Sequence, residues 1–306
     1  MGQTHIRTPK NFVLEERLER YADAIEVVPE TYRGSWAAAC AVVGTEDDAV
    51  NGTSTGVTAS AIAPAPAGRP FDAVHLDLGC GKGAYLAACA ARDPRSLYLG
   101  MDTEPICIAY AAQRIVEGEL KNALVLPRSA ESLERIFAPG ELAGITLNFP
   151  TPFPKRKFAG KRLVNVDHLL AYRALLAPDA RVTLRTDSQP LRDYALTQFE
   201  AAGYALHWVS DDVRAEHPGH PETEYEARLA AQGAAVYGIC ATPAAAPTPA
   251  HIQAGRDAEQ SLAEYLPRDL GSLTYVPLGM EGYVVNARNR MAKGKAATPN
   301  SDARAR

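Results

Sequence analysis

Residues 71–102 read FDAVHLDLGCGKGAYLAACAARDPRSLYLGMD, and this stretch decides the fold. The run DAVHLDLG is apolar and ends in glycine, which predicts a buried strand, and AYLAACAAR has the apolar spacing of a helix. SLYLGMD then predicts a second strand. A strand, a helix and another strand in so short a stretch form a βαβ unit, in which the two strands lie side by side and parallel.

The same alternation continues toward the C-terminus. ALVLP, GITLNFP and ARVTLRTD have the composition of strands, and helical patterns separate them. ALHWVS and AAVYGICA end the series without a helical pattern between them, so the last two strands are expected to pair antiparallel. The sequence therefore predicts an α/β fold with a largely parallel sheet of about seven strands.

Composition divides the chain into four parts. A Gly-, Ser-, Thr-, Ala- and Pro-rich segment follows an amphipathic helix expected at 11–25, and this segment cannot bury a core. The predicted parts are an N-terminal helical arm (1–42), a flexible insertion (43–70), the α/β domain (71–241) and a C-terminal remainder (242–306). In the remainder we expect a Pro/Ala linker (242–257), a small helix (258–266), a hairpin (274–286) and a disordered basic tail (286–306).

The net charge, the spacing of cysteines and histidines, and the length of the apolar runs exclude several classes of protein. The 306 residues carry a formal net charge of −4, so binding to nucleic acid would depend on local basic clusters. The 5 cysteines are scattered and include no C-x-x-C, and the histidines lack metal-ligand spacing, so neither a disulfide framework nor a metal site is expected. Without an apolar run long enough for a bilayer or a signal peptide, the chain is expected in the cytoplasm, as a monomer or a homodimer.

The turn after the first strand, DLGCGKGA at 77–84, predicts a cofactor site. Gly79 and Gly81 let the chain turn sharply and let a ligand approach the backbone. The spacing also fits a dinucleotide fingerprint, but Asp77 would repel a pyrophosphate and suits a ligand with a sulfonium and an ammonium, namely S-adenosylmethionine. Asp102 ends the second strand, where an acid commonly accepts hydrogen bonds from ribose hydroxyls.

A second motif follows the fourth strand, NFPTPFPKRKFAGKRL at 148–163. Three prolines at alternate positions predict a stiff extended turn at the carboxyl end of a strand, where α/β sheets bind ligands. Phe153 and Phe158 are interleaved with cations and offer stacking faces for a base. The five cations, which predict phosphate binding, are Lys155, Arg156, Lys157, Lys161 and Arg162.

These residues resemble the bacterial tRNA (guanine-N7)-methyltransferase family. The family's pattern at the fourth strand is N-F-P-D-P-W-P-K, followed by basic residues and K-R-R-L. Further similarities, in the same order as in the family, are YRGSW at 32–36, the glycine turn, GMD at 100–102, TD at 186–187 and TEYE at 223–226. The resemblance covers about residues 7–41 and 71–241.

The resemblance implies a class I methyltransferase with a Rossmann-like seven-stranded sheet and helices on both faces. It implies methyl transfer from S-adenosylmethionine to N7 of a guanosine in the variable loop of tRNA. The implied cofactor residues are Asp77, Gly79, Gly81, Asp102, Glu131 and Asn148. The residues implied to face tRNA are Lys155, Arg156, Lys161, Arg162, Thr186, Asp187, Thr223 and Glu226.

The sequence departs from the family pattern at the centre of the second motif. Thr151 stands where the family has an acid, and Phe153 stands where it has tryptophan. Phenylalanine keeps a stacking face. The resemblance implies that Thr151 and Asp187 are the catalytic positions, and loss of the acid at Thr151 removes a group worth roughly 2–4 kcal/mol of transition-state stabilisation. Asp187 and Glu226 remain at positions where the family binds guanine, and either one can recognise the guanine edge.

Three other functions remain open at this point. A tRNA-binding relative without activity is favoured by Thr151. A methyltransferase acting on another RNA or a small molecule would keep the glycine turn but would not need the basic cluster. An NAD-dependent oxidoreductase fits the glycine spacing, but Asp77 disfavours it, and no Tyr-x-x-x-Lys pair supports it.

Overall fold

The computed structural model describes residues 8–39, 70–267 and, with gaps at 268, 271–272, 274 and 278, the chain as far as 296. Seven strands form one sheet in the order β3-β2-β1-β4-β5-β7-β6. The strands are Ala73–Leu78 (β1), Ser96–Asp102 (β2), Ala123–Pro127 (β3), Leu142–Asn148 (β4), Leu176–Thr186 (β5), Tyr204–Ser210 (β6) and Tyr237–Pro243 (β7). β1 to β5 are parallel to one another, whereas β7 runs antiparallel to both β5 and β6.

Helices cover both faces of this sheet. The longer ones are Leu14–Arg20 (α1), Ala84–Arg92 (α3), Pro105–Glu117 (α4), Val166–Leu175 (α6), Gln189–Ala201 (α7), Glu224–Ala231 (α9), Pro249–Asp257 (α10) and Glu281–Ala296 (α11), and the short ones are Trp36–Ala39 (α2), Leu133–Ile136 (α5) and Val213–Glu216 (α8). One apolar cluster joins the sheet to α5, α6 and α7, and a second joins it to α1, α3 and α4. The predicted α/β fold, its seven strands and its antiparallel final pair are confirmed.

The strand order places a functional site at one edge of the sheet. After β3 the chain returns to pair β4 with β1, so the direction of strand addition reverses between these two strands. The carboxyl ends of parallel strands diverge at such a switch point and leave a crevice for ligands. Asp77 in β1 and Asn148 at the end of β4 lie at this crevice.

The N-terminal arm is fastened to the domain by the YRGSW segment. Trp36 is fully buried, and its indole N–H donates to the carbonyl of Ile136 at 3.1 Å. The backbone N–H groups of Gly34 and Trp36 each donate to the Glu141 carboxylate at 2.9 Å. This segment therefore anchors the arm, and the predicted flexible insertion that follows it falls outside the described residues up to position 69.

The predictions for the C-terminal remainder are corrected by the structure. The expected linker contains α10, because Thr248 caps the helix and Pro249 occupies its first turn, where a missing N–H costs nothing. The expected hairpin at 274–286 and the tail after it contain α11 instead. Met280 and Val284 are buried, and this burial holds α11 against the domain. The part of the tail beyond residue 296 lies outside the described residues.

Candidate active site

The glycine turn between β1 and α3 is open on the side that faces the crevice. Gly79, Gly81 and Gly83 have φ of 80°, 54° and 74°, a region that side chains disfavour. No described atom lies within 4 Å of where a Cβ would stand on Gly79 or Gly81, whereas a Cβ on Gly83 would meet the Ala111 Cβ at 2.6 Å. The first two glycines thus leave room beside the backbone, and the third lets α3 pack against α4.

Asp77 and Asn148 face each other across the crevice. The Asn148 amide donates to Oδ1 of Asp77 at 3.2 Å. Asp77 Oδ2 and Asn148 Oδ1 are buried acceptors without a hydrogen-bond partner among the described residues. Burial raises the pKa of Asp77 to about 7, and the hydrogen bond from Asn148 opposes that shift. Two buried acceptors of this kind suit a ligand that brings its own donors or positive charge.

Asp102 connects the glycine turn after β1 to the turn after β2. Its Oδ2 accepts from the backbone N–H of Gly81 at 2.9 Å, and its Oδ1 accepts from that of Glu104 at 2.9 Å. The carboxylate is half-buried and fixes the shape of the glycine turn, while each oxygen keeps a second lone pair. Glu131 is exposed just after β3, and a hydrogen bond from Ser129 lowers its pKa. Asp102 is the last residue of β2 and Glu131 follows β3, so both acids belong to the same carboxyl-terminal edge of the sheet as Asp77.

The loop after β4 has an unusual backbone. Phe149 and Phe153 have φ of 51° and 44°, and each precedes a proline, which itself restricts the preceding residue. Such left-handed conformations cost on the order of 1–3 kcal/mol each and persist only where the surroundings hold them. At Phe153 Arg162 does so, donating to the carbonyls of Pro152 at 3.1 Å and Phe153 at 2.9 Å, whereas the N–H of Phe149 donates to the carbonyl of Arg185 at 2.7 Å.

This role of Arg162 corrects its predicted contact with tRNA. Its side chain is fully buried, lies over the ring of Tyr194 with 4.4 Å between guanidinium carbon and ring centroid, and donates to the carbonyl of Gln260 at 2.6 Å. Arginine's fork of donors suits several carbonyls at once, and sequence spacing alone does not distinguish this use from phosphate binding.

The other cations of the motif lie on the surface, in a 3-10 helix at Arg156–Lys161 and just before it. Lys157 and Lys161 place their ammonium groups 5.1 and 5.7 Å from the centroid of the Phe158 ring, which packs near Phe153 at 6.4 Å between centroids. The four exposed members, which form what we call the basic loop, are Lys155, Arg156, Lys157 and Lys161.

A buried ion pair lies behind the loop. Arg185 donates to Glu226 Oε1 at 2.5 Å, and both side chains are at most 2% exposed. Glu226 Oε2 also accepts from the backbone N–H of Thr223, whose hydroxyl in turn accepts from the N–H of Glu226, so the two residues form the capping box of α9. Thr186 is buried, and its hydroxyl accepts from the N–H of Ser188.

The predicted contacts of Thr186 and Glu226 with guanine are therefore corrected, because both side chains are buried and bonded within the protein. Thr223 caps α9 and is half-buried, so its contact with guanine stays a prediction. Arg185, which the sequence reasoning missed, is the buried cation to which Glu226 is bound. The T-x-Y-E spacing carried the capping-box pattern, which would have identified this structural role.

Asp187 lies beyond the end of β5, and its predicted contact with guanine stays a prediction. In the parallel register Asn148 pairs with Arg185, and Asp187 follows two residues later, so it stands at the same edge as the cofactor crevice. Its Oδ2 accepts hydrogen bonds from two phenols, Tyr225 at 3.0 Å and Tyr275 at 2.8 Å. The ring of Tyr225 also packs edge-on against Phe149 with 5.1 Å between centroids. Thr151 is exposed in the loop.

Comparison with known proteins agrees with this geometry. The family described as "Putative methyltransferase" matches residues 72–239. A tRNA (guanine-N(7)-)-methyltransferase of Geobacillus thermodenitrificans is 33% identical over 165 residues, which are 54% of this chain and 76% of the relative. The chain belongs to the tRNA (guanine-N7)-methyltransferase family.

A second member of the methyltransferase family, from Streptococcus equi subsp. zooepidemicus, is 28% identical over 238 residues, 78% of this chain and all of the relative. Among solved structures, the 16S rRNA methyltransferase KamB is similar with a TM-score of 0.47 and 20% identity, over 57% of this chain and 89% of that one. The segment from Ala244 onward, which contains Tyr275, lies beyond the matched family region.

Two further findings concern only the part of the chain that the structure describes. No group of three or more His, Cys, Asp or Glu side chains there has the arrangement of a metal site. None of its helices is both long and apolar enough to cross a membrane.

Proposed function

We propose that this protein transfers a methyl group from S-adenosylmethionine to N7 of a guanosine in the variable loop of tRNA. The observation that carries the proposal is the convergence of three features at one edge of the sheet. These are the Asp77–Asn148 crevice, the carboxylate of Asp187, and the basic loop in the segment that follows β4.

The residues of the crevice fit the methyl donor. Asp77 Oδ2 and Asn148 Oδ1 are buried acceptors that an ammonium group would satisfy, and the space beside Gly79 and Gly81 admits a ligand close to the backbone. A carboxylate at Asp77 stabilises positive charge and disfavours a pyrophosphate. When bound, S-adenosylmethionine supplies an electrophilic methyl group on a sulfonium. We expect Asp102 and Glu131 to hold the rest of the cofactor.

The acceptor requires orientation more than proton transfer. Guanine N7 has an in-plane lone pair and no proton, so a protein can accelerate its attack by holding the ring in line with the methyl group. Asp187 can accept hydrogen bonds from the N1–H and N2–H groups of guanine and stabilise the charge that develops on the ring. Phe149 and Tyr225 provide an aromatic wall beside that carboxylate. Thr151 adds a hydroxyl but no charge.

The basic loop supplies affinity for the tRNA backbone. Two of its four exposed cations, Lys157 and Lys161, lie over the Phe158 ring, so phosphates and an unstacked base can be bound together. Each phosphate neutralised adds roughly 0.7–0.9 to the slope of log affinity against log salt concentration. Binding is therefore expected to weaken steeply as the salt concentration rises.

The direct test uses the full chain, unmodified tRNA and methyl-labelled cofactor, with the product nucleosides identified by mass spectrometry. We expect labelled N7-methylguanosine from wild type and little from Asp187→Asn. Lys157→Glu should weaken tRNA binding and reduce its salt slope. Lys121→Glu is the matched control, because Lys121 is exposed and precedes the amino end of β3, whereas the proposed site lies at the carboxyl ends of the strands. Absence of N7-methylguanosine at any wild-type concentration would refute the proposal.

Thr151 also supports a second candidate, a relative that binds tRNA without turnover. Calorimetry separates the two functions, because this candidate predicts binding of cofactor or tRNA with no transfer. A methyltransferase acting on a small molecule would retain its activity after charge reversal in the basic loop.

We propose a cytoplasmic location for the reaction. Cys80, Cys89, Cys107 and Cys240 are free thiols, as expected in a reducing compartment, and tRNA is the proposed substrate.

A further inference from the structure

The chain beyond Ala244 is built into the candidate site. Leu262 and Met280 are fully buried and belong to the main apolar core. Gly255 in α10 comes so close to α7 that a Cβ there would meet the Ala201 Cβ at 2.7 Å. We call the described part of this segment, 244–296, the C-terminal appendage. Its burial shows that it packs as part of the domain, although the matched family region ends at 239.

The appendage supports the loop that follows β4. The N–H of Leu262 donates to the carbonyl of Pro154 at 3.1 Å. Arg162, which donates to the carbonyls of that loop, also donates to the carbonyl of Gln260 at 2.6 Å. The side chain of Gln260 in turn accepts from the Tyr194 hydroxyl at 3.1 Å. Through these contacts the appendage and the loop share one hydrogen-bond network.

A separate contact joins the appendage to the acid at the proposed guanine site, through Tyr275. Its hydroxyl and that of Tyr225 both donate to Oδ2 of Asp187, which is 8% exposed. Burial raises the pKa of both phenols, that of Tyr225 to about 12, so both keep their protons at neutral pH. Two donors on one oxygen restrict the rotation of the carboxylate, and Oδ1 takes part in neither of these two hydrogen bonds.

We propose that Tyr275 is a positioning residue for methyl transfer, supplied by the C-terminal appendage and acting through Asp187. By holding Oδ2, it keeps Oδ1 oriented toward the N1 and N2 donors of guanine before the substrate arrives. Preorganised acceptors of this kind avoid the cost of reorientation during the reaction. This inference rests on the proposed function of the site.

The test is Tyr275→Phe, which removes one hydroxyl and keeps the ring. We expect kcat/KM for tRNA to fall about tenfold, with an unchanged KM for the cofactor, since one hydrogen bond to a charged group is lost. Tyr265→Phe is the matched control: its hydroxyl donates to the carbonyl of Glu259 within the same appendage, and this variant should stay within about twofold of wild type. In an Asp187→Asn background, Tyr275→Phe should cause no further fall.

Other results would overturn the inference. Unchanged activity of Tyr275→Phe would show that the hydroxyl has no role, and faster turnover would show that Tyr275 obstructs the guanine instead. An undiminished effect in the Asp187→Asn background would indicate a purely structural contribution.

If the proposed function is wrong, the wild-type protein will make no N7-methylguanosine, a result that differs from every outcome above. In that case Tyr275 has no positioning role in methyl transfer either. Thermal unfolding of the same four proteins (wild type, both single variants and the double variant) then still reports on the contact. Non-additive shifts in melting temperature support the Tyr275–Asp187 hydrogen bond, and additive shifts refute it.

Discussion

Replacing Asp77 by asparagine should stabilise the protein in the absence of cofactor and weaken its binding of S-adenosylmethionine. Asp77 is 4% exposed, and its pKa is raised from 3.8 to about 7 because burial penalises the charged carboxylate. Asparagine has nearly the same shape and keeps an oxygen that accepts from the Asn148 amide, but it carries no charge to desolvate. The site thus sacrifices folding stability for a negative charge beside the ligand.

The size and sign of the effect follow from the two pKa values. Below pH 3.8 the carboxyl is protonated in both states and costs nothing. Between 3.8 and about 7 the unfolded chain ionises first, so the stability of the wild type falls by about 1.4 kcal/mol for each pH unit. Above pH 7 the loss reaches a plateau of roughly 4 kcal/mol. Asp77→Asn should escape this loss entirely.

Urea denaturation of both proteins from pH 4 to pH 8.5 measures this difference, and calorimetry at pH 8 measures cofactor binding. We expect the stability advantage of Asp77→Asn to grow up to pH 7 and then stay constant, while its cofactor affinity falls at least tenfold. Asp23→Asn, at an exposed position, controls for the loss of one negative charge. A variant that is no more stable than wild type at pH 8 would refute the reasoning.

Three further variants test other parts of the structure. Glu226→Gln leaves the Arg185 guanidinium buried without its counter-charge and should lower the free energy of unfolding by about 3 kcal/mol; a loss below about 1 kcal/mol in urea denaturation would contradict this. Leu262→Ala should cost about 2–5 kcal/mol in the same assay, and a negligible cost would mean that the appendage is not core. Thr151→Asp should methylate tRNA at least as fast as wild type in single-turnover assays, so a slower variant would disprove our account of Thr151.

The sheet could be predicted from sequence because its strands are short apolar runs separated by helical patterns. In β1, β2 and β3 the predicted and observed bounds agree closely, since buried parallel strands have no alternative use for so many aliphatic side chains. The C-terminal appendage was misread because its signals conflict. Proline and alanine at 243–250 resemble a linker, yet Thr248-Pro249 is also an ordinary helix start.

The site was predictable where position along a strand decides the contact. Asp77, Asn148 and Asp187 converge because parallel strands end at one edge, which follows from the βαβ pattern alone. Arg162 and Glu226 were misassigned because a residue type does not reveal whether its partner is the substrate or a buried group of the protein, here backbone carbonyls for Arg162 and the Arg185 guanidinium for Glu226. Tyr275 reaches Asp187 across 88 positions of sequence, and no local periodicity encodes such a contact.

The capture of the Arg162 guanidinium by the Gln260 carbonyl matters for anyone preparing this enzyme. A protein truncated after the seventh strand, close to the end of the region that matches the family, would look complete beside its relatives. Such a truncation would nonetheless expose the apolar surface that Leu262 and Met280 cover. It would also leave the buried Arg162 guanidinium without the Gln260 carbonyl as an acceptor. Inactivity or precipitation of such a shortened protein would reflect an incompletely packed domain. It would say nothing about whether the full chain transfers a methyl group.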